Sequence, residues 1–156
     1  MKILYFFRSL LCDFLMYFLM ALIGILGIPY ALFSRENSYK LIRIYCKSVF
    51  WVLKYLAGLK IEIRGTIPLD PCLICSKHQS FLDVMMLASV LPNFRFIIKH
   101  QLTYLPVIGF YARKTGCVPV NREKKIGTVN KMLDALNQEA NRQTIVYPQG
   151  TRVLPY

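Results

Sequence analysis

The feature that most restricts the fold of this chain is an uncharged segment near its N-terminus. The 21 residues from Phe14 to Ser34 carry no charged side chain, and about 20 apolar helical residues span the hydrocarbon core of a bilayer. The segment therefore predicts a membrane helix. A cleaved signal peptide is the alternative, but its apolar region is shorter and ends in an A-x-A-like site, which this chain lacks. Pro29 leaves open a re-entrant hairpin.

A helix with one basic face is predicted after the membrane segment. Its cations recur at spacings of three, four and seven residues, which places them on one side of a helix. These cations are Lys40, Arg43, Lys47 and Lys54. Apolar side chains fill much of the remaining circumference, so the helix could lie against anionic lipid headgroups. A soluble core helix with a solvated basic edge would show the same pattern.

The charge of the whole chain indicates a polyanionic partner. Twenty Lys and Arg against eight Asp and Glu give a net charge of +12, and 55% of the residues are hydrophobic. Phospholipid headgroups and nucleic acid both fit such a charge. The uncharged segment and the lack of a recognised nucleic-acid-binding motif favour membrane phospholipids, and we expect no nucleic acid. More cations follow the segment than precede it, which predicts a cytoplasmic (inner) membrane protein with the bulk of its chain in the cytoplasm.

The cysteines predict reduced, structural thiols. Five cysteines are an odd number, and the chain lacks the dense framework of a small secreted fold. Cys72 and Cys75 form a C-x-x-C, but strand alternation would turn them to opposite faces. No second pair or His cluster completes a metal site, so a zinc or redox role is the weaker interpretation.

Beyond residue 60 the pattern changes to short apolar runs separated by turn residues. It predicts an α/β fold, a sheet flanked by helices, preceded by the membrane helix and the basic amphipathic helix. Residues 1–59 are then membrane-anchoring helices and residues 60–156 an α/β domain. The predicted strands are Ile61–Arg64, Cys72–Ser76, Phe94–Ile98, Cys117–Val120 and Thr144–Tyr147. The predicted helices are Leu82–Val90, Pro106–Lys114 and Gly127–Arg142.

A histidine and an aspartate five positions apart follow the second predicted strand. His78 falls in a strand-to-helix loop and Asp83 in the first turn of the next helix. A carboxylate that accepts the Nδ1 proton would fix the tautomer and leave Nε2 as a general base. Ser80 and Asp83 also fit a capping box, S-x-x-D, so Asp83 could simply cap the helix. Ser80 has little support as a nucleophile, because no G-x-S-x-G elbow surrounds it.

Two further strands end in turns that carry an arginine. In YPQGTR, Gly150 allows close backbone approach, Thr151 can donate a hydrogen bond, and Arg152 can grip a phosphate with two parallel bonds. Arg122, after Asn121, is a second candidate phosphate ligand. For each arginine taken alone, a solvated surface position is the stronger interpretation.

Four motifs together resemble the lysophosphatidate (1-acylglycerol-3-phosphate) acyltransferase family over about residues 60 to 152. They are KHQSFLD, the K-x-x-L-x-x-L-P-x-x-G run from Lys99 to Gly109, GCVPVNR and YPQGTR. The resemblance implies catalysis by His78 and Asp83 and phosphate recognition by Arg122 and the turn Gly150, Thr151 and Arg152. We also expect contacts with substrate or acyl donor from Lys77, Ser80, Lys99, Asn121 and Gln149.

The resemblance also implies the reaction. An acyl group passes directly from acyl-CoA or acyl carrier protein to the free sn-2 hydroxyl of lysophosphatidate, which gives phosphatidate, and no cofactor or metal takes part. Lys77 stands where the family commonly has Asn, and Gln149 stands where it has Glu. Relatives continue past the position of Tyr156, so we expect the domain to be incomplete at its carboxyl end.

Three alternatives to this function remain at the level of sequence. The acceptor could be another lysophospholipid or glycerol phosphate, because the motifs indicate a phosphate and a hydroxyl rather than a particular headgroup. The chain could instead be an inactive, lipid-binding membrane fragment. A basic nucleic-acid-binding protein is the third alternative, and tight, salt-sensitive DNA or RNA binding would be its signature.

Overall fold

The computed structural model describes residues 2–121, 133, 134, 137 and 141–148. The chain forms two compact units, Met1–Thr66 and Ile67–Tyr156. The first unit is helical, and the second is built around a sheet.

The first unit consists of three helices and a closing turn. Helix α1 spans Lys2–Leu26, α2 spans Ile28–Phe33, and α3 spans Arg35–Val52. A π-helical turn, Leu53–Ala57, extends α3. Gly58 ends this turn with a φ of 70°, a left-handed conformation that glycine adopts without steric cost.

Helix α1 is long and apolar enough to cross a membrane. The stretch Ile3–Leu26 passes this test by length and composition, and only 11% of an 18-residue window within it is buried. The bounds predicted from the uncharged stretch are therefore wrong, although an apolar N-terminal helix is present. The helix ends at Leu26 because Pro29 lacks an N–H and its ring opposes the carbonyl four residues earlier. At the other end it continues through Asp13 and Arg8, and the Nε of Arg8 donates to the carbonyl of Leu56 at 2.6 Å.

The predicted basic amphipathic helix is present as α3 and its π-helical turn. The buried side chains of α3 are Ser38, Tyr39, Cys46, Val49 and Val52. Lys40, Lys47 and Lys54 are exposed and lie on the side away from these residues, as a 3.6-residue period requires. Ser34 caps α3 by accepting a hydrogen bond from the N–H of Asn37 at 3.1 Å.

The second unit alternates strands and helices, as predicted. Its elements are β1 (Leu73–Cys75), α4 (Phe81–Val90), β2 (Phe94–Lys99), a 3₁₀ turn (His100–Tyr104), α5 (Pro106–Lys114), β3 (Val118–Val120) and β4 (Gln143–Val146). Ser80 caps α4, and Pro106 occupies the first position of α5, where its missing N–H has no helical partner to lose. The elements agree with the predicted ones to within one or two residues.

The four described strands form one parallel sheet in the order β1-β4-β2-β3. Strand β4 enters between β1 and β2, with Ile74 and Phe96 both in register with Ile145. Ile145 is fully buried and Phe94 is 2% exposed. An α/β fold with a sheet flanked by helices is therefore confirmed.

A buried arginine joins the edges of three elements. Arg142, 3% exposed, precedes β4, and its guanidinium donates to the carbonyl of Thr115 at 2.6 Å and to that of Phe94 at 3.3 Å. Its Nε donates to the side-chain oxygen of Asn93 at 3.2 Å. These bonds tie the end of α5 and the start of β2 to the start of β4.

One predicted strand is wrong. Ile61–Arg64 is irregular and pairs with none of the strands that the structure describes. Its alternating sequence imitates a half-buried strand, but Ile63 is 43% exposed, and Glu62 and Arg64 form an exposed ion pair at 3.1 Å. Without a partner strand or a buried face, the alternation has nothing to stabilise it.

The predicted helix Gly127–Arg142 lies mostly outside the described residues. Three described positions within it, Leu133, Asp134 and Asn137, are helical.

Candidate active site

The candidate site lies at one edge of the sheet. All described strands run parallel, so their carboxyl ends meet at the same edge, where α/β proteins usually bind ligands. His78 follows β1 by three residues, Tyr147 follows β4 directly, and Asn121 follows β3 directly. Lys99 is the last residue of β2.

His78 and Asp83 form a hydrogen-bonded pair at this edge. The Nδ1 of His78 lies 3.2 Å from Oδ2 of Asp83, and both side chains are about one-fifth exposed, at 21% and 20%. The loop 76–80 carries the imidazole and the first turn of α4 carries the carboxylate. With Nδ1 bound to the carboxylate, the Nε2 atom is left to take or give a proton.

The Asp83 carboxylate is held by backbone donors as well as by the imidazole. Its Oδ2 accepts from the N–H of Gln79 at 2.7 Å and from that of Ser80 at 3.2 Å. Burial alone would raise the pKa of Asp83, but these two backbone donors and the His78 imidazole outweigh burial and hold that pKa below its ordinary value. The carboxylate is therefore ionised at neutral pH and fixed in place.

Ser80 serves as the helix cap. Its Oγ accepts from the N–H of Leu82 at 3.1 Å, and Asp83 completes the capping box by accepting from the backbone of Ser80. The predicted capping box and the predicted His–Asp contact are thus both present. One carboxylate performs both tasks because its oxygens offer several acceptor positions.

A tyrosine that sequence reasoning missed packs against the imidazole. The ring centroids of His78 and Tyr147 are 4.4 Å apart with an interplanar angle of 34°. Phe96 lies behind Tyr147, with ring centroids 6.5 Å apart and planes 7° apart. Burial and the negative charge of Asp83 raise the pKa of Tyr147, so its hydroxyl stays protonated. The available signal was the position of Tyr147 as the first residue after β4, in the YPQGTR motif.

The other predicted site residues are more widely spread. Lys77 is exposed in the loop that carries His78, and Lys99 and Asn121 are exposed at the ends of β2 and β3. With strands about 4.8 Å apart, the end of β2 lies roughly 10 Å from that of β1 and the end of β3 roughly 14 Å. Arg122, Gln149, Gly150, Thr151 and Arg152 lie outside the described residues.

The thiols and the possible metal ligands add no second centre. All five cysteines are free. Among the residues that the structure describes, no three His, Cys, Asp or Glu side chains are grouped as metal ligands would be. The expectation that the reaction needs no metal stays a prediction.

An imidazole held by a carboxylate at the strand-end edge of a parallel sheet is the arrangement that a general base requires. The sequence model of the Acyltransferase family matches residues 59–156, and the chain belongs to this family.

Relatives and a solved structure agree with this family. The chain is 27% identical over 114 residues to the 1-acyl-sn-glycerol-3-phosphate acyltransferase of Pseudomonas aeruginosa. The matched segment covers 70% of this chain and 44% of that protein. It is 36% identical over 106 residues to the human 1-acyl-sn-glycerol-3-phosphate acyltransferase beta. That match covers 64% of this chain and 38% of the human protein. The match to the Helicobacter pylori enzyme is 32% over 121 residues, or 76% of this chain and 49% of that protein.

The fold is similar to that of the 1-acyl-sn-glycerophosphate acyltransferase of Thermotoga maritima. The TM-score is 0.75 at 23% identity, over 96% of this chain and 64% of that one. The chain spans less than half the length of the three relatives named above. The predicted resemblance to the lysophosphatidate acyltransferases is confirmed.

Proposed function

We propose that this protein transfers a fatty acyl group from a thioester to the free sn-2 hydroxyl of lysophosphatidate and so produces phosphatidate. The observation that carries the proposal is the His78–Asp83 pair, at 3.2 Å, in a chain of the Acyltransferase family. Relatives named as 1-acyl-sn-glycerol-3-phosphate acyltransferases support the acceptor.

In the proposed reaction His78 acts as a general base. Its Nε2 takes the proton of the acceptor hydroxyl while the oxygen attacks the thioester carbonyl carbon. The tetrahedral intermediate then collapses, the C–S bond breaks, and the imidazolium returns its proton to the departing thiolate. Asp83 keeps the Nδ1 proton in place and stabilises the imidazolium, and base catalysis of this kind contributes about 10²–10⁴-fold. Direct transfer without an acyl-enzyme is part of the proposal, on the resemblance of the motifs, and the capping of α4 by Ser80 agrees with it.

The phosphate of the acceptor is assigned to basic strand ends and turns. We assign it to Arg122 and to the turn Gly150, Thr151 and Arg152, on the resemblance of their motifs. Guanidinium groups and backbone N–H groups both suit a phosphate dianion. Lys77 and Lys99, both exposed at the sheet edge, supply further positive charge, and Asn121 and Gln149 supply hydrogen bonds. The acyl donor is acyl-CoA or acyl carrier protein, and no metal or prosthetic group takes part.

The first unit is proposed to hold the enzyme at its lipid substrate. Helix α1 enters the bilayer, and the cations of α3 contact anionic phospholipids. In this proposal residues 1–59 are the anchor, and residues 60–156 carry the reaction on the cytoplasmic side of the inner membrane. Nucleic acid is no partner.

Transfer of a labelled acyl group by the full chain in detergent tests this function. Acyl-CoA and lysophosphatidate are supplied to the wild type, to His78→Ala and to a matched control, His100→Ala. His100 is exposed and bonds to Tyr104 at 3.1 Å. We expect His78→Ala to lower kcat by about 10²–10⁴-fold, because the base is lost, and His100→Ala to retain kcat.

Parallel reactions separate the acceptors. Lysophosphatidylglycerol, lysophosphatidylcholine and glycerol phosphate replace lysophosphatidate, and we expect lower kcat/KM with each. A higher value with another acceptor would reassign the substrate. Equal activity of His78→Ala and wild type would contradict the assignment of His78 as the general base. A wild type that binds lipid but transfers no acyl group would indicate a lipid-binding protein instead of an enzyme.

A further inference from the structure

We propose that Tyr147 is a positioning residue that sets the plane of the His78 imidazole. The inference rests on the proposed function, since it assigns the part that holds the base in place. It is carried by three aromatic contacts and by the burial of the residues that make them.

A hydrogen bond from Nδ1 to Asp83 fixes only one atom of the imidazole. Within the tolerance of that bond the ring can still turn about the Cβ–Cγ bond of His78, and this rotation would move Nε2, the atom that meets the substrate hydroxyl. The ring of Tyr147, with its centroid 4.4 Å from that of His78, blocks this rotation on one face. Together, the hydrogen bond holds the position of Nδ1 and the ring contact holds the plane of the imidazole.

Tyr147 is itself held by the core of the sheet. Phe96 of β2 is in register with Ile145 of β4, and Tyr147 lies two residues further along, on the same side of the chain. Phe96 stacks behind Tyr147 with planes 7° apart, and Phe94 contacts Phe96 edge-on with ring centroids 5.4 Å apart. Phe94 and Phe96 are 2% and 6% exposed. A row of rings therefore connects the rigid core to the imidazole.

The ring of Tyr147, and not its hydroxyl, performs this role. Among the described residues the buried Oη has no hydrogen-bond partner, so it anchors nothing there. An unsatisfied buried hydroxyl destabilises a fold, and its removal is tolerated when the shape is kept. The role should therefore survive Tyr147→Phe and be lost in Tyr147→Leu, which keeps an apolar side chain but removes the ring.

Kinetics of the full chain in detergent test the proposal with a matched control. Tyr147→Leu is compared with Tyr147→Phe and with Tyr111→Leu, which makes the same change at a tyrosine of α5 that is 8% exposed. We expect Tyr147→Leu to lower kcat about tenfold or more, since misplacement of a catalytic group by about 1 Å costs up to about 100-fold. KM for lysophosphatidate should stay within about twofold, because substrate binding is untouched. Tyr147→Phe should restore most of the lost kcat, and Tyr111→Leu should keep kcat per folded molecule.

Imidazole NMR gives a readout that needs no activity. The chain has two histidines, so His78→Ala assigns their signals. A ring packed on His78 shifts its carbon-bound protons upfield, and we expect this shift in the wild type and in Tyr147→Phe but not in Tyr147→Leu. If Tyr147→Leu does not fold, Phe96→Leu takes its place, and a smaller loss of both kcat and the shift is expected.

The outcomes separate this proposal from the proposed function. A wild type that shows the upfield shift but transfers no acyl group would contradict the proposed function and would still support the ring contact. Unchanged shifts or unchanged kcat in Tyr147→Leu would overturn the positioning role. Equal losses of kcat in Tyr147→Leu and Tyr147→Phe would overturn it too, because the hydroxyl would then carry the effect.

Discussion

At the scale of single residues, the candidate base is assembled locally. His78 and Asp83 are five positions apart, and a capping box brings the carboxylate back to the loop. Local rules for strand ends and helix starts were enough to predict this contact from sequence. Tyr147 was missed because its contact with His78 depends on the insertion of β4 next to β1, which no short-range pattern encodes. The assignments of Arg122 and Arg152, which lie outside the described residues, stay predictions.

The hydrogen bonds that Asp83 accepts predict how the stability of the protein depends on pH. The pKa of this carboxyl is lowered from 3.8 in the folded protein, so the stabilisation from its ionised form is complete above 3.8 and is lost as pH falls through the folded-state value. We expect Asp83→Asn to be about 1–2 kcal/mol less stable than the wild type at neutral pH. The difference in the free energy of unfolding between Asp83→Asn and the wild type should become smaller in acid below pH 3.8.

Thermal unfolding of the wild type and Asp83→Asn across this pH range checks the prediction. The control is Asp70→Asn, a change at an exposed aspartate in the loop before β1. A difference between Asp83→Asn and the wild type that stays constant from neutral pH into acid would contradict it.

At the scale of elements, sequence predicted those with a buried face and failed where burial was absent. Strands β1 to β4 and helices α4 and α5 have buried side chains or a hydrogen-bonded partner strand, and their patterns predicted them closely. Ile61–Arg64 has the alternation without the partner. The membrane helix was placed too late in the chain because an uncharged stretch was taken as its limit. Helix formation depends instead on the absence of a break, and the break comes at Gly27 and Pro29.

A close approach between two elements predicts the effect of a small substitution. Gly109 of α5 faces the 3₁₀ turn, where an added Cβ would lie 2.7 Å from the carbonyl carbon of Thr103 and closer still to its oxygen. Since backbone cannot yield as a flexible side chain does, we expect Gly109→Ala to lower the free energy of unfolding by about 1–3 kcal/mol. Ala112→Gly, a change at a buried position of the same helix, gives a comparison in which helix propensity falls and no atom is added.

Denaturant unfolding of both variants measures the effect. If Gly109→Ala is as stable as the wild type, the 3₁₀ turn moves away from the added Cβ without cost. The Gly of the K-x-x-L-x-x-L-P-x-x-G run would then lack the packing role assigned to it here.

At the scale of the whole molecule, the chain combines a helical unit with an α/β unit of the Acyltransferase family. Composition and net charge predicted contact with a membrane, whereas the change of pattern beyond residue 60 predicted the α/β fold. The side of the membrane that the α/β unit faces is a property of the inserted protein, and only charge asymmetry indicates it from sequence.

An exposed thiol reports this orientation. Cys75 at the end of β1 is exposed, whereas Cys12 and Cys46 are buried. We expect a membrane-impermeant maleimide to leave intact cells unlabelled at Cys75 and to label it once the membrane is permeabilised, because the α/β unit is proposed to face the cytoplasm. Cys75→Ser identifies the labelled residue by loss of the signal. Labelling of intact cells at Cys75 would place the unit on the opposite side.

The proposed base lies within residues 76–83, whereas the proposed headgroup contacts at Asn121 and Arg122 follow a different strand. In the proposed function, proton abstraction and the headgroup contacts of Asn121 and Arg122 therefore depend on separate stretches of the sequence. If the proposed roles are correct, substitutions after β3 would exchange one acceptor for another without disturbing the base, and new lipid specificities could evolve on this scaffold by a few point mutations.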